Sequence, residues 1–305
     1  MARSRSLVLV GVVLLAACST VPEKPETETE VLGGPLKVGV TTPTGAADAA
    51  KDADALASAL GGALGRPVTA TVYAKYDELV AGISKGDVDL AWMPPLAFVR
   101  ASRDADVLPI RKATRQGNAS YKAVIFSRAD KPYGSPADLK GAKMAWVSET
   151  SASGYLFPKA LLIEAGLSPD KLFAEQKFFG DHEAVCKAVV DGTSDAGATF
   201  TDDIGAGNPN EVSACKTVLA TGTQGLKILT ATDAMPNDVI AARPGLSGAT
   251  RDDVGKALDS LAAKPDAAKI FGSLFNSDGF APVGEKDYEP VKRALVILEP
   301  PKAKD

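Results

Sequence analysis

The chain has 305 residues, 45% of them hydrophobic and 24% charged, with 34 Lys+Arg against 38 Asp+Glu. That length fits two ordinary domains, and the composition excludes collagen-like, disordered and multi-span membrane classes. A net charge of −4 gives no electrostatic basis for a nucleic-acid partner, and the single histidine excludes any multi-histidine metal site. No metal or cofactor is expected, since neither a phosphate-binding loop nor a dinucleotide fingerprint occurs in the sequence.

Residues 1–17 read as a signal peptide: Arg3 and Arg5 precede an apolar run from Leu7 to Ala17 that is too short to span a bilayer. Leu15-Ala16-Ala17-Cys18 resembles a bacterial lipobox, which makes Cys18 the expected lipidated first residue of a membrane-anchored extracytoplasmic protein. Residues 18–35, rich in Pro, Glu and Thr, read as a solvated linker. Cys186 and Cys215 would share an oxidising compartment, and their pairing is left open by the sequence.

From Leu36 the pattern is strand 36–40, helix 46–64, strand 68–73, helix 77–84 and strand 88–92, a β-α-β-α-β order that predicts a parallel sheet flanked by helices. The scheme then repeats. Strand 121–127 precedes a short helix at Ser135-Pro136-Ala137-Asp138-Leu139, with an N-cap serine and a proline in its first turn. Strand 143–147, helix 154–165, helix 182–190 and strand 195–200 follow.

The two halves match at a constant offset of 106 residues: Gly86 with Gly192, Asp89 with Asp195, Ile83 with Val189 and Tyr76 with His182. Each glycine closes a helix in a left-handed conformation, and each aspartate precedes a buried strand. Two pseudo-equivalent α/β lobes are expected, with Tyr76 and His182 reaching one cleft from opposite sides, because ligands of open α/β sheets sit beyond the carboxyl ends of the strands.

Ser148-Glu149-Thr150-Ser151-Ala152-Ser153-Gly154-Tyr155 joins a strand to a helix N-terminus, a place suited either to an anion or to ordinary capping. His182 is either an oxyanion donor or a surface cap, and Tyr76 and Tyr121 are either cleft donors or packing. Asp202 and Asp203, after strand 195–200, either hold a ligand ammonium or cap the next element. Gly82-Ile83-Ser84-Lys85-Gly86 matches a nucleophile-elbow pattern, but with helix before and strand after, the reverse of what an elbow needs.

Several collinear stretches resemble the phosphonate/phosphite/phosphate-type substrate-binding proteins of ABC transporters. They are Gly86-Asp87-Val88-Asp89-Leu90-Ala91-Trp92-Met93-Pro94-Pro95, Asp138-Leu139-Lys140-Gly141 with Ser151 to Pro158, Phe179-Gly180-Asp181-His182-Glu183-Ala184-Val185, Asp195-Ala196-Gly197-Ala198 and Met235-Pro236-Asn237-Asp238. The resemblance implies an α/β, two-lobed, type II periplasmic-binding-protein-like fold, each lobe a mostly parallel sheet, joined by a two-strand hinge. Lobe 1 is expected over 36–120 and 239–305, and lobe 2 over 121–238.

It also implies a non-enzymatic lipoprotein that captures a small phosphorus oxyanion by hinge closure and delivers it to an ABC permease and ATPase. In that pattern Ser151, Ser153, Gly154, His182, Tyr76 and Tyr121 bind the oxyanion, and Asp202 or Asp203 falls where an amine is held. A sensory lipoprotein of the same fold is the alternative, and an extracytoplasmic hydrolase a more remote one. Ala152, Pro94 and Phe98 depart from the family pattern, which bears on ligand identity rather than fold.

Overall fold

The computed structural model describes residues 34–41, 48–202, 211–219 and 225–299. The signal peptide, Cys18, most of the 18–35 linker and Asp203 lie outside the described residues. In chain order, β1 (Leu36–Thr41), α1 (Ala49–Leu64), β2 (Val68–Tyr73), α2 (Tyr76–Lys85), β3 (Leu90–Met93), α3 (Pro95–Ala105) and β4 (Leu108–Thr114) begin the first sheet. The second contains β5 (Ser120–Arg128), β6 (Lys143–Trp146), β7 (Glu175–Phe178), β8 (Ala196–Thr201), β9 (Leu226–Ala231) and β10 (Met235–Pro236). Its helices are α4 (Phe157–Glu164), α5 (Pro169–Leu172), α6 (His182–Val190) and α7 (Lys216–Leu219). The chain then returns through β11 (Val239–Ala242), α8 (Gly248–Ala262), α9 (Pro265–Phe275), β12 (Gly279–Ala281) and α10 (Glu289–Leu298).

The strand orders are β12-β4-β11-β3-β1-β2 and β10-β5-β8-β6-β7, with β9 also on β5. Each sheet is mixed rather than mostly parallel. The triplets β2-β1-β3 and β7-β6-β8 are parallel, because each strand is followed by a helical crossover long enough to return to the same end. β4, β5, β10 and β11 instead belong to segments that pass between the sheets and come back, so their pairings are antiparallel.

The 106-residue repeat holds to the register. Lys37 pairs with Thr69 and Lys143 with Glu175; Val38 pairs with Leu90 and Met144 with Ala196. Asp89 accepts the Lys37 N–H at 2.9 Å, and Asp195 accepts the Lys143 N–H at 2.9 Å, so each aspartate ties the start of its own strand to the first strand of the unit. Gly86 and Gly192 end the preceding helices at φ 79° and 82°, in the left-handed region where a side chain is costly.

Leu36, Val38, Leu90 and Ile240 face α1, α8 and α9, where Trp92 stacks on Phe275 with ring centroids 3.5 Å apart. The opposite face packs on α2, α3 and α10, and this core continues into the second lobe through Phe157 and Ala160 of α4. Phe98 belongs to it, buried 4.4 Å from Tyr288, which removes it from any ligand-facing role. In the second sheet Val124 and Phe126 point to α6 while Ile125 points to the Trp146 side, the alternation expected of a strand covered on both faces.

Cys186 of α6 and Cys215 are joined in a disulfide, with Cα atoms 5.4 Å apart and a sequence separation of 29. Replacing both with serine should lower the unfolding free energy by about 3–4 kcal/mol, the chain-entropy value for a loop of this size. Urea melts measure it, and a midpoint indifferent both to reductant and to the substitution would show that the bridge does not form in solution.

Candidate functional site

Ser151 and Ser153 follow β6, His182 follows β7, Asp202 follows β8 and Tyr76 follows β2, while Tyr121 stands near the start of the antiparallel strand β5. In the second sheet the decisive local feature is Pro158. Having no N–H, it cannot bond the Gly154 carbonyl, and that oxygen instead accepts the Val147 N–H at 3.1 Å. The turn Ala152–Leu156 is therefore π-helical, with Leu156 N–H on the Ser151 carbonyl at 2.9 Å, and the regular helix starts at Phe157 rather than Gly154.

Ser151 caps this turn: its Oγ accepts the Gly154 N–H at 3.0 Å. Gly154 is thus not a free backbone donor. Its role is space, since a Cβ there would lie 2.2 Å from Val147 Cγ2. Ser153 is buried beside it. The N–H groups of Ala152 and Ser153, at the first positions of the turn, have no acceptor within it.

Val147 links the serine turn to His182. Its carbonyl accepts the Gly180 N–H at 2.8 Å, two residues before the start of α6, while its N–H binds Gly154. Asp181 caps α6 by accepting the Ala184 N–H at 2.7 Å. His182 Nδ1 shares a 2.7 Å hydrogen bond with Thr199 Oγ1, and its ring meets Phe200 edge-on at 5.0 Å. Burial holds the imidazole below its ordinary pKa, and the Asp181 charge opposes this without reversing it.

In the first sheet Tyr76 opens α2, near Thr41 at the end of β1. Burial pushes its phenol up, and the Asp238 carboxylate adds to this while Arg115 opposes it. Tyr121, on β5 opposite Met235 of β10, is pushed up by the same burial and by Asp238, again against Arg115. Asp202 is half-buried at the end of β8; burial raises its carboxyl pKa, with Lys216 and then Arg115 opposing. Tyr76, Tyr121 and Ala152 all pack against the one apolar cluster that contains Met93, Ala123 and Met235. Pro94 and Pro95, at the end of β3 and the start of α3, offer no N–H there.

Two charged residues where the chain passes between the sheets escaped the sequence reading as site residues. Asp238 lay in a quoted stretch without a role, and Arg115, a single arginine after a strand, gave no signal. Their side chains form an ion pair at 2.7 Å. Ser84 lies inside α2 with its Oγ buried and unpartnered, remote from any elbow geometry. Among the described residues no group of three or more His, Cys, Asp or Glu is arranged to hold a metal.

The family model for the ABC transporter, phosphonate, periplasmic substrate-binding protein matches residues 38–288. The chain is 26% identical to the phosphate-import protein PhnD of Mycolicibacterium smegmatis over 96% of this chain and 95% of that one. It is 33% identical to a probable phosphite-binding protein, PhnD1, of Prochlorococcus marinus over 40% of this chain and 43% of that one. In fold it is similar to PhnD1 from Prochlorococcus marinus in complex with methylphosphonate (TM-score 0.58, 23% identity, 86% of this chain and 97% of that one). A similar likeness holds to XAC2383 from Xanthomonas citri bound to chloride (TM-score 0.63, 20% identity, 86% and 97%).

Because His182 is the single histidine, its titration is directly readable by imidazole NMR. The free protein should titrate below the ordinary value of about 6.5. The unfolded chain then binds a proton that the native state refuses, so stability should fall as pH drops through 6.5 towards the native pKa, and His182→Gln should flatten that slope. A titration at or above 6.5 would contradict the buried, neutral imidazole. Gly154→Ala should cost about 1–3 kcal/mol in thermal or denaturant unfolding through the clash with Val147; an unchanged melt would disprove the close approach.

Proposed function

We propose how this cleft works on one premise: the chain belongs to the family of ABC transporter phosphonate periplasmic substrate-binding proteins. As such it is a binding component rather than an enzyme, acting outside the cytoplasm with the permease and ATPase of an importer. The ligand is a small tetrahedral phosphorus oxyanion: a phosphonate, phosphite or phosphate.

Ser151, Ser153 and the free N–H groups of the π-turn meet the oxyanion from the second lobe, together with His182. Tyr76 meets it from the first lobe and Tyr121 from the junction. Asp202 lies at the rim, where an amine substituent would fall, with Asp203 next to it in sequence. These donors are neutral, and neutral donors hold an anion by hydrogen bonding without the desolvation cost of burying a cation for each oxygen. The lobes, 36–120 with 239–305 and 121–238, close by bending where the chain crosses between sheets, which excludes water and strengthens every donor. Residues 1–17 are removed on export, and lipid on Cys18 holds the protein at the membrane through the 18–35 linker.

The observation that carries this reading is the meeting of Tyr76, Tyr121 and Ala152 on one apolar cluster at the strand ends. Calorimetry with phosphate, phosphite, methylphosphonate, 2-aminoethylphosphonate and sulfate tests it. At least one phosphorus oxyanion should bind, and His182→Ala should weaken it at least tenfold, about 1.4 kcal/mol. Full affinity in that variant would remove His182 from the site, and sulfate binding alone would overturn the ligand class.

A further inference from the structure

Arg115 stands in the first crossing segment, directly after β4. Its Nη2 donates to Asp238 Oδ2 at 2.7 Å and to the Phe275 carbonyl at 3.3 Å, while Trp92 Nε1 donates to the same Asp238 oxygen at 3.4 Å. The Arg115 Nε is buried with no acceptor, so the guanidinium is held in place without all its donors being used. Both side chains are only partly exposed, at 32% and 21%. The pair lies beside Tyr121: Met235, three residues before Asp238, pairs with Tyr121, and the Asn237 N–H donates to the Ala119 carbonyl between Arg115 and Tyr121.

An unpaired carboxylate at this place would repel an oxyanion and would offer an ammonium group a partner. A guanidinium on that carboxylate removes both effects, because the arginine stays charged at any physiological pH and its planar fork suits a carboxylate. Resting on the phosphorus-oxyanion reading of the cleft, we propose that Arg115 is a specificity-determining residue: by keeping Asp238 in an ion pair it turns the site towards oxyanions without an amine and away from aminoalkylphosphonates. The other described carboxylate, Asp202, has Lys216 as well as Arg115 opposing the rise that burial gives its pKa.

Calorimetric titration of methylphosphonate and 2-aminoethylphosphonate separates the outcomes. The unmodified protein should prefer methylphosphonate. Arg115→Gln should move the affinity ratio at least tenfold towards 2-aminoethylphosphonate, and adding Asp238→Asn should cancel that gain. A general loss of packing would weaken both ligands together and leave the ratio unmoved, which overturns the assignment. Should Arg115→Gln fail to fold, Asp238→Asn alone decides: the proposal requires 2-aminoethylphosphonate affinity within about twofold of the unmodified protein, and a tenfold loss overturns it. A protein that binds neither compound, nor phosphate nor phosphite, overturns the ligand reading itself and this inference with it; binding with an unmoved ratio overturns Arg115 alone.

Discussion

Two stretches of chain connect the sheets side by side, and one amide holds them together. Asn237 Nδ2 donates to the carbonyls of Ala113 at 3.3 Å and Asn118 at 2.8 Å, and its own N–H donates to Ala119 at 3.1 Å. The Ala113 N–H in turn donates to Asp238 at 2.8 Å. A buried amide with its donors satisfied by backbone carbonyls has few alternative arrangements, because losing one partner costs about 1–3 kcal/mol. The relative placement of Tyr121, Arg115 and Asp238 follows from this clamp. β4 and β5, on either side of the first crossing, pair in separate sheets.

The cleft gathers polarity without stacking up charge. Burial favours the neutral imidazole, whose Nδ1 shares a hydrogen bond with Thr199; one carboxylate is paired with arginine; burial disfavours the other as an anion. The two carboxylate arrangements lower the repulsion an incoming oxyanion would meet. The serine turn contributes by geometry, because a proline that cannot donate redirects the Gly154 carbonyl to Val147 and so fixes the turn against the strand end. Ala152 fits here as packing: it lies against the apolar cluster shared with both tyrosines, where a hydroxyl would need a partner.

Much of this was legible in the sequence for a physical reason. Helix–glycine–strand units announce themselves through the left-handed cap and the aspartate that ends them, and the 106-residue offset therefore reappears as identical strand register. Helix 182–190 was read to the residue because Asp181 is a strong N-cap. Strand direction near the crossings was not legible, since antiparallel pairing there depends on where the chain travels between lobes and not on local pattern. Phe98, read only as a departure from the family pattern, is core, because burial against Tyr288 is a long-range fact. Arg115 was invisible for the same reason: its partner is 123 residues away.

The duplication explains why the two lobes offer different chemistry at equivalent places. Tyr76 and His182 both occupy the first turn of the helix that precedes the third parallel strand, on backbones matched by the same aspartate clamp. Yet the phenol leans on Thr41, at the end of the first strand of its unit, while the imidazole leans on Thr199, in the third strand of the other. A repeated backbone therefore fixes where a donor starts, and the neighbouring threonine fixes where it points.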